Sequence, residues 1–288
     1  MRLGKRYNDQ AFAQLPVISG VSTYQVASNV TKNTIGCNGA SAPVNAPQTE
    51  IFVSQIIKQE AIAISQIPLD NPYEGVTELI YEHCQRRKGK LVITGVGKAG
   101  EIAKKLAVTF CSTGTVSVFM HPLEGLHGDL GLLQPNDLFL AISNSGKTRE
   151  ILEIIPLARK LISGIPLICL TGNNPSPLAD MADFVLFTGP VLEVCPLGLT
   201  PTTSTTVMNV IGDIIVCLQM AKIEFGNHDY SLRHHGGYLG AAARLSKEAV
   251  NQSSQSPAPS QSPAQGPEPI PEPIEVYSNP NAGAIVRP

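Results

Sequence analysis

The chain has 288 residues, of which 43% are hydrophobic and 15% are charged, and its formal net charge at pH 7 is −2. This length supports one sizeable hydrophobic core with flanking segments, but not two large cores. The near-neutral charge excludes the basic surface that nonspecific binding to nucleic acid or to an anionic membrane requires.

The termini and the cysteines point to the compartment. No secretory signal pattern follows Arg2 and Lys5, and we expect no apolar stretch long enough to span a bilayer. The 6 cysteines form no CxxC pair, and several lie inside apolar segments, which indicates reduced thiols and no structural zinc site. We therefore predict a cytoplasmic protein that contacts neither a membrane nor nucleic acid and whose partner is a small molecule.

Composition divides the chain into three parts. Residues 1–48 are rich in Ser, Asn, Gly and Ala without a sustained period, which predicts a disordered N-terminal extension. Residues 248–288 alternate Pro with Ser, Gln and Glu, a composition typical of an extended, solvated tail. Residues 49–247 form the predicted folded domain.

The middle part alternates helical and strand patterns. Apolar residues recur at helical spacing in residues 50–67 and 73–88. Short apolar runs then alternate with helical segments, at residues 91–95, 116–120, 138–143, 167–172 and 184–188. A long helical segment at 204–225 and the sequence RHHGGYLG complete the domain. Strands that are apolar on both faces and alternate with helices predict a doubly wound, five-stranded parallel sheet flanked by helices, an α/β fold.

The first strand runs into GVGKAG, whose Gly95, Gly97 and Gly100 match the spacing of the dinucleotide fingerprint. A dinucleotide site also needs an acidic residue at the end of the second strand, where this chain reads VSVFMHP. The full Walker pattern is absent as well, because Lys98 is not followed by Ser or Thr. We therefore expect this turn to present Lys98 to a small ligand.

Three clusters of hydroxyl side chains accompany the predicted sheet. The third strand continues into SNSGKTRE, which places Ser143, Asn144, Ser145 and Thr148 at the start of a helix. The other clusters are CSTGT at 111–115 and PTTSTT at 201–206. Hydroxyls, a glycine and helix N–H groups suit a phosphate monoester, and the alternative is an ordinary helix cap without a ligand.

Titratable residues follow the predicted strands. Glu150 lies one helical turn beyond the phosphate-like turn, and its alternative role is that of a first-turn acid that complements the helix dipole. Glu193 lies in an apolar loop that we expect to raise its pKa towards that of a useful base, and the alternative is a solvated loop carboxylate. The histidines of these segments are His121, His127, His234 and His235. Glutamates, a lysine and histidines beside a phosphate fit proton transfer next to a carbonyl, as in aldose–ketose isomerisation.

Taken in order, the motifs resemble the sugar isomerase (SIS) domain of arabinose-5-phosphate isomerases: GVGKAG, CSTGT, HPLEGLHGDLG, AISNSGKTREI, LICLTGN, EVCPLGLTPTTSTT and RHHGGYLG. The resemblance covers residues 52–245 and implies a flavodoxin-like, three-layer sandwich. It implies an intramolecular oxidoreductase that interconverts D-ribulose 5-phosphate and D-arabinose 5-phosphate and requires no cofactor. That reaction begins the synthesis of 3-deoxy-D-manno-octulosonate (Kdo), a sugar of lipopolysaccharide and capsule. The resemblance also implies a homotetramer whose active sites include residues of neighbouring subunits.

The resemblance further implies a role for each matching position. The implied catalytic residues are Lys98, Glu150, Glu193 and His234, with one glutamate as the enediol base and the histidine opening the sugar ring. The implied substrate contacts are Gly97, Ser112, Thr113, Gly114, Thr115, His127, Ser143, Asn144, Ser145 and Thr148. His121 matches a position that can hold zinc, to the detriment of activity.

Two departures from the family pattern bear on function. His235 stands where the family commonly has proline after the catalytic histidine, which leaves open which imidazole acts. Many members carry regulatory CBS domains where this chain has its proline-rich tail. We hypothesise instead that a later product, CMP-Kdo, binds the catalytic domain as a feedback ligand.

Alternative functions remain. One is a non-catalytic SIS module that senses a phosphosugar or CMP-Kdo, although residues 1–48 lack the helix-turn-helix pattern of such regulators. Another is an isomerase of a different phosphosugar, such as a hexulose 6-phosphate. A nicotinamide oxidoreductase ranks third, because the acidic ribose partner is missing.

Overall fold

A computed structural model describes residues 46–236 and Gly240. The disorder predicted for residues 1–48 and 248–288 lies outside the described residues, except that the first helix already begins at Ala46. The described helices are α1 (Ala46–Ser65), α2 (Tyr73–Ile80), α3 (Lys98–Ser112), α4 (Pro122–Leu126), α5 (Arg149–Leu161), α6 (Pro177–Met181), α7 (Thr203–Lys222) and α8 (Asn227–Arg233). A π-helical turn (Tyr81–Arg86) continues α2, and a 3₁₀ turn (Asp129–Leu132) follows α4.

Five parallel strands form one sheet in the order β2-β1-β3-β4-β5, which is the flavodoxin-like order. The strands are β1 (Leu91–Gly95), β2 (Ser117–Phe119), β3 (Leu138–Ile142), β4 (Leu167–Thr171) and β5 (Phe184–Phe187). All four strand pairs are parallel, as the helical crossovers between the strands require. The predicted doubly wound α/β fold is confirmed, and each predicted strand overlaps an observed one.

Helices cover both faces of the sheet, and the strand side chains alternate between them. Leu91, Ile93 and Leu140 pack with α2, α3 and α7 in one core cluster. Val92 and Phe139 pack with α5 and α6 in the other. The three central strands are buried at every position, because each face carries a layer of helices.

Four short helical elements lie outside the predicted pattern: α4, α6, α8 and the 3₁₀ turn. Each spans seven residues or fewer, too few for a hydrophobic period of 3.6 to repeat clearly. α4 and α6 instead carry the local signal of proline in their first turn, at Pro122 and Pro177. α4 and the 3₁₀ turn extend the loop after β2, α6 extends the loop after β4, and α8 follows α7.

By length and composition α7 is apolar enough to cross a membrane, with a mean hydropathy of 1.4 over an 18-residue window. The expectation that no apolar stretch reaches this length is therefore wrong. The helix packs against α1, α2 and α3, and it buries Val207, Ile211 and Ile215 in the core. These contacts give α7 the role of a core helix.

The amino edge of the sheet is joined by a buried ion pair between β1 and β3. Asp137 accepts hydrogen bonds from the backbone N–H and the Nζ of Lys90, at 2.9 and 2.6 Å. It also accepts the backbone N–H of Gln134 at 2.8 Å. The carboxylate is fully buried and has several donors, so it is satisfied as a structural group.

Candidate active site

The two turns predicted to meet a ligand lie at one crevice. The strand order reverses between β1 and β3, and open parallel sheets bind ligands beyond the carboxyl ends of the strands at such a point. The loop after β1 turns at Gly97, whose φ of +59° lies in the left-handed region, and Lys98 then begins α3 with an exposed side chain. The loop after β3 carries residues 143–148.

The turn after β3 is held by its own hydroxyl groups. Ser143 Oγ lies 2.7 Å from Thr148 Oγ1 and accepts the backbone N–H of Gly146 at 3.1 Å. Ser145 Oγ accepts the backbone N–H of Lys147 at 3.1 Å and does not cap α5. In the part of the chain that the structure describes, no side chain caps this helix. The helix start therefore suits an anion, as the sequence predicts.

Close approaches around two glycines give this turn its shape. Gly146 has a φ of +62°, and a Cβ at this position would lie 2.1 Å from Ser176 Oγ at the start of α6. Gly172 follows β4, and a Cβ there would lie 2.2 Å from Asn144 Oδ1. Because the turn is wedged against β4 and α6, its hydroxyl groups are held in place before a ligand binds.

Lys98 and Glu150 occupy the first turns of helices that begin at this edge, α3 and α5. A cavity of about 310 Å³ lies between α3 and α7, lined by Lys98, Glu101, Ile102, Lys105, Thr205 and Asn209. Small-molecule sites typically measure about 300–1,000 Å³, so this cavity suits a small ligand. The cavity links Lys98 to the first turns of α7.

The Glu193 side chain contacts the start of α7 from the loop that precedes this helix. Its Oε2 accepts the backbone N–H of Thr202 at 2.7 Å, the Thr202 hydroxyl at 3.0 Å and the backbone N–H of Ser204 at 3.3 Å. A carboxylate in this place satisfies N–H groups that the helix itself leaves unpaired and meets the positive end of the helix dipole. Lys98 begins α3 and Glu193 contacts the start of α7, and these two helices pack against each other.

The pKa of Glu193 is shifted in the direction opposite to the prediction. Partial burial raises the pKa, but hydrogen bonds from Ser204 and Thr202 outweigh it, and the pKa lies below its ordinary value of 4.5. The expectation of a raised pKa is wrong because the donors come from α7, not from the apolar loop itself. Glu193 is consequently ionised at neutral pH.

His121 and His127 bracket α4, which follows the carboxyl end of β2. His121 caps this helix, because its Nδ1 accepts the backbone N–H of Leu123 at 3.3 Å. His127 ends the helix and is exposed. β2 pairs with β1, so both histidines lie at the edge that carries Lys98. Within residues 46–236, no group of three or more His, Cys, Asp or Glu side chains is arranged to hold a metal ion.

The segment Ser112–Thr115 lies at the opposite edge of the sheet. It ends α3, whereas Lys98 begins this 15-residue helix, so about 20 Å separates the two ends. The hydroxyls of Ser112 and Thr113 both donate to the carbonyl of Thr109, at 2.9 and 2.8 Å. The structure therefore does not bring this segment to the turn after β3 within one chain, and its contact with the substrate stays a prediction.

His234 lies near that same distant edge. Its ring stacks on Tyr230 at 3.8 Å, and Tyr230 meets the ring of Phe225 at 6.4 Å. Phe225 in turn packs against Gly114. His234 Nδ1 lies 3.0 Å from the Tyr230 carbonyl, which can only accept, so Nδ1 carries the proton and Nε2 is the basic nitrogen. One chain does not bring His234 to Lys98.

Two residues near Glu193 were not singled out from the sequence. Thr203 lies in the PTTSTT cluster, and its buried hydroxyl accepts the backbone N–H of Val194 at 3.3 Å. The same hydroxyl lies 3.0 Å from Glu60 Oε1 on α1. An acidic residue on a helix carries no local sequence signal for such a contact, which spans 143 positions.

Comparison with known proteins places this geometry in a family. A family model described as the SIS domain matches residues 85–217. Arabinose 5-phosphate isomerase KdsD of Escherichia coli strain K12 is 48% identical over 192 residues, which cover 66% of this chain and 58% of that protein. The chain thus spans somewhat more than half the length of the curated relatives that it matches.

The matches to two solved structures cover almost the whole length of those two chains. A Bacteroides fragilis protein assigned as a phosphosugar isomerase involved in capsule formation is 56% identical, with a TM-score of 0.65, and the match covers 66% of this chain and 99% of that one. The protein c3406 of E. coli CFT073, solved in complex with arabinose 5-phosphate, is 38% identical with a TM-score of 0.60 and the same coverage. The resemblance inferred from the motifs is confirmed, and the chain belongs to the SIS-domain family.

Proposed function

We propose that this protein is an aldose–ketose isomerase that interconverts D-ribulose 5-phosphate and D-arabinose 5-phosphate. The observation that carries the proposal is that Lys98, Glu150, Glu193 and the hydroxyl-rich turn after β3 all lie at the carboxyl edge of the sheet. The names of the curated relatives and the arabinose 5-phosphate complex of a 38% identical protein support this choice of substrate.

The reaction needs one proton to move between two neighbouring carbons. A glutamate removes the C1 proton of the ketose, the electron pair forms the C1–C2 double bond of an enediolate, and the charge develops on the C2 oxygen. Lys98 stabilises that oxygen. The C1 hydroxyl then gives its proton to the C2 oxygen, and the protonated glutamate returns its proton to C2 while C1 becomes the aldehyde. The turn at Ser143–Thr148 holds the phosphate and so fixes the sugar relative to both glutamates.

His234 is proposed to open the sugar ring from a neighbouring subunit. The Nε2 of His234 is the basic nitrogen. Within one subunit, however, His234 is separated from Lys98 by about the length of α3. A shared active site within a homotetramer resolves this separation, because each subunit then supplies its distant edge to the crevice of another.

The remaining proposals concern pathway and control. We place the reaction in the cytoplasm at the first step of Kdo synthesis, with CMP-Kdo as a feedback ligand and zinc at His121 as an inhibitor rather than a required cofactor. Added CMP-Kdo at physiological concentration should lower the rate, and EDTA should leave it unchanged or raise it. An unchanged rate with CMP-Kdo would remove the feedback hypothesis.

The test is direct. Purified protein with EDTA is incubated with D-ribulose 5-phosphate, and D-arabinose 5-phosphate is measured by chromatography. Replacement of Glu150 or Glu193 by Gln should lower kcat by about 10²–10⁴-fold, the usual contribution of a positioned acid or base. Glu153→Gln is the matched control, because Glu153 is an exposed carboxylate on the same helix as Glu150.

Binding of sugar phosphates without product formation would point to one of two other functions. A wild-type protein that binds sugar phosphates tightly but forms no product is a phosphosugar sensor or an isomerase of another phosphosugar. A panel of pentose and hexulose phosphates then separates these two functions.

A further inference from the structure

The position of Glu193 depends on residues outside its own loop. Its carboxylate is held by the first residues of α7, Thr202 and Ser204. These hydrogen bonds persist only while the loop that carries Glu193 stays at a fixed distance from the start of α7. A reacting group displaced by 1 Å can lose about 10²-fold in rate, so the tether of this loop matters for catalysis.

Thr203 supplies that tether. It lies between the two residues that hold Glu193, is 1% exposed, and accepts the backbone N–H of Val194 at 3.3 Å. Val194 follows Glu193 directly in the chain. The hydroxyl of Thr203 therefore fastens the loop backbone at the residue next to the glutamate.

Glu60 orients this hydroxyl. A threonine hydroxyl has a single proton, and a carboxylate can only accept, so the proton of Thr203 points at Glu60 Oε1, 3.0 Å away. This leaves the oxygen lone pairs for the Val194 N–H. Without an acceptor at Glu60, the hydroxyl is free to rotate, and its bond to the loop weakens.

The position of Glu60 carries an unfavourable free energy, because one of its oxygens is buried without a hydrogen bond in the described part of the chain. Its Oε2 is buried and has no hydrogen-bond partner among the residues that the structure describes. An unpaired buried carboxylate oxygen is unfavourable, and the positive end of the α7 dipole compensates this cost in part. A local rule broken in this way is more typical of a functional position than of one that merely packs.

We propose that Glu60 is a positioning residue for Glu193 and acts through Thr203. This inference rests on the proposed function, because it assigns Glu193 to the reaction. It adds α1 to the machinery, although this helix lies outside residues 85–217, which the SIS-domain model matches. In this assignment Glu60 fixes the position of the loop and takes no part in the proton transfer itself.

Replacement of Glu60 by Leu and by Gln tests the proposal. Leu keeps the apolar bulk but removes the acceptor, whereas the Gln carbonyl still accepts from Thr203. Glu60→Leu should lower kcat by about 10-fold or more with KM within about twofold, since the phosphate turn is untouched. Glu60→Gln should keep kcat within about threefold of wild type. Glu50→Leu, an exposed position on the same helix, is the matched control.

A second measurement does not depend on activity. Hydrogen–deuterium exchange of the peptide that spans residues 190–200 should become faster in Glu60→Leu and in Thr203→Val, and stay unchanged in Glu50→Leu. The double variant Glu60→Leu/Thr203→Val should lose no more than either single variant, since both break one relay. If the wild type forms no product, the proposed function fails, and the exchange result alone decides the positioning role. Folded Glu60→Leu protein with wild-type exchange in this peptide, or with fully additive losses in the double variant, overturns the proposal.

Discussion

The backbone N–H of Thr202 donates to Glu193 Oε2 over 2.7 Å and ties this loop carboxylate to the first turn of α7. Partial burial raises the pKa of Glu193, but hydrogen bonds from Ser204 and Thr202 lower it to below 4.5. The ionised carboxylate thus serves two purposes. It is a charged group available to the proposed reaction, and it completes the hydrogen bonding of a core helix.

The low pKa of Glu193 predicts an acid-sensitive contribution to stability. A carboxyl group whose pKa is lower in the folded state stabilises the protein fully above its unfolded pKa and loses this effect as pH falls through its folded pKa. The free energy of unfolding of the wild type should therefore fall more steeply below about pH 4.5 than that of Glu193→Gln. Urea unfolding at a series of pH values measures both slopes. Parallel slopes for the two proteins would contradict the assignment.

Gly146 is predicted to be essential for the shape of the anion turn. Gly146→Ala brings a Cβ to 2.1 Å from Ser176 Oγ and strains a φ of +62°. The KM for the sugar phosphate should rise by about 10-fold or more, because a misplaced anion contact costs binding. Kinetics at varied substrate concentration measures this change.

Gly164 offers a matched control for this substitution. Its φ is +73°, but a Cβ at Gly164 meets no atom within 4 Å. Gly164→Ala carries the backbone strain alone, about 1–3 kcal/mol, and should leave KM unchanged. A rise in KM of similar size in both variants would show that strain, rather than the contact with Ser176, governs the effect.

Local sequence patterns predicted the sheet well because each central strand is buried on both faces and reads as a continuous apolar run. Leu91–Gly95 and Leu138–Ile142 are examples, and each ends in a glycine- or serine-rich turn. The rule that ligands lie beyond the carboxyl ends of such strands then directed attention to the edge at which the structure has Lys98 and Ser143. The short helix Pro177–Met181 was missed because five residues carry no period.

The parts of the site that depend on tertiary contacts were not predictable from local patterns. The apolar neighbours of Glu193 suggested a raised pKa, but its donors lie 9 and 11 residues further along the chain. His234 and Ser112 carry the right residue types, yet α3 and α7 run the whole depth of the domain and deliver both to the far edge. Family motifs record which residues act together, and they do not record which subunit supplies them.

Asp137 is predicted to stabilise the fold without taking part in the reaction. Asp137→Ala removes the acceptor of Lys90 and Gln134 in a fully buried place. The loss should be about 3 kcal/mol in the free energy of unfolding, the usual cost of a broken buried pair. Asp213→Ala breaks the Lys105 pair, in which the Asp213 side chain is 52% exposed, and should cost less than about 1 kcal/mol. Urea unfolding measures both, and kcat at a temperature where each variant is folded should match the wild type.

Cys195 is predicted to be a reactive thiol beside the active site. Burial raises its pKa, but N–H groups of Thr200 and Leu199, at 3.1 and 3.3 Å from Sγ, contribute to lowering the pKa to about 7. Alkylation by iodoacetamide should accelerate up to about pH 7 and level off above about pH 8, as the thiolate fraction saturates. Peptide mapping by mass spectrometry measures the rate at each pH. A rate that keeps rising above pH 8 would contradict this pKa.

Alkylation at this position should also slow isomerisation, because Cys195 lies two residues from Glu193. Cys195→Ser should abolish the sensitivity to iodoacetamide while keeping most of the activity. Sensitivity that persists in this variant would assign the effect to another thiol, such as the exposed Cys111 or Cys217.

The separation of Lys98 from His234 predicts that inactive subunits rescue each other. Measured from the cyclic aldose D-arabinose 5-phosphate, Lys98→Ala and His234→Ala should each lose activity alone, because every site lacks one group. If a site combines Lys98 of one subunit with His234 of another, co-expressed variants form some sites with both groups intact. With random pairing of two subunits per shared site, about a quarter of the wild-type activity should return.

The control combines Lys98→Ala with the double variant Lys98→Ala/His234→Ala, in which no site regains Lys98, so that this mixture should stay inactive. Size-exclusion chromatography with light scattering verifies that the mixed subunits assemble. A mixed assembly of Lys98→Ala and His234→Ala without activity would place both groups in the same subunit's site, whereas activity of His234→Ala on its own would remove His234 from the reaction. One chain holds Lys98 at the start of α3 and His234 near the end of that helix. Both groups can reach one site of the same subunit only if α8 leaves its place beside Phe225.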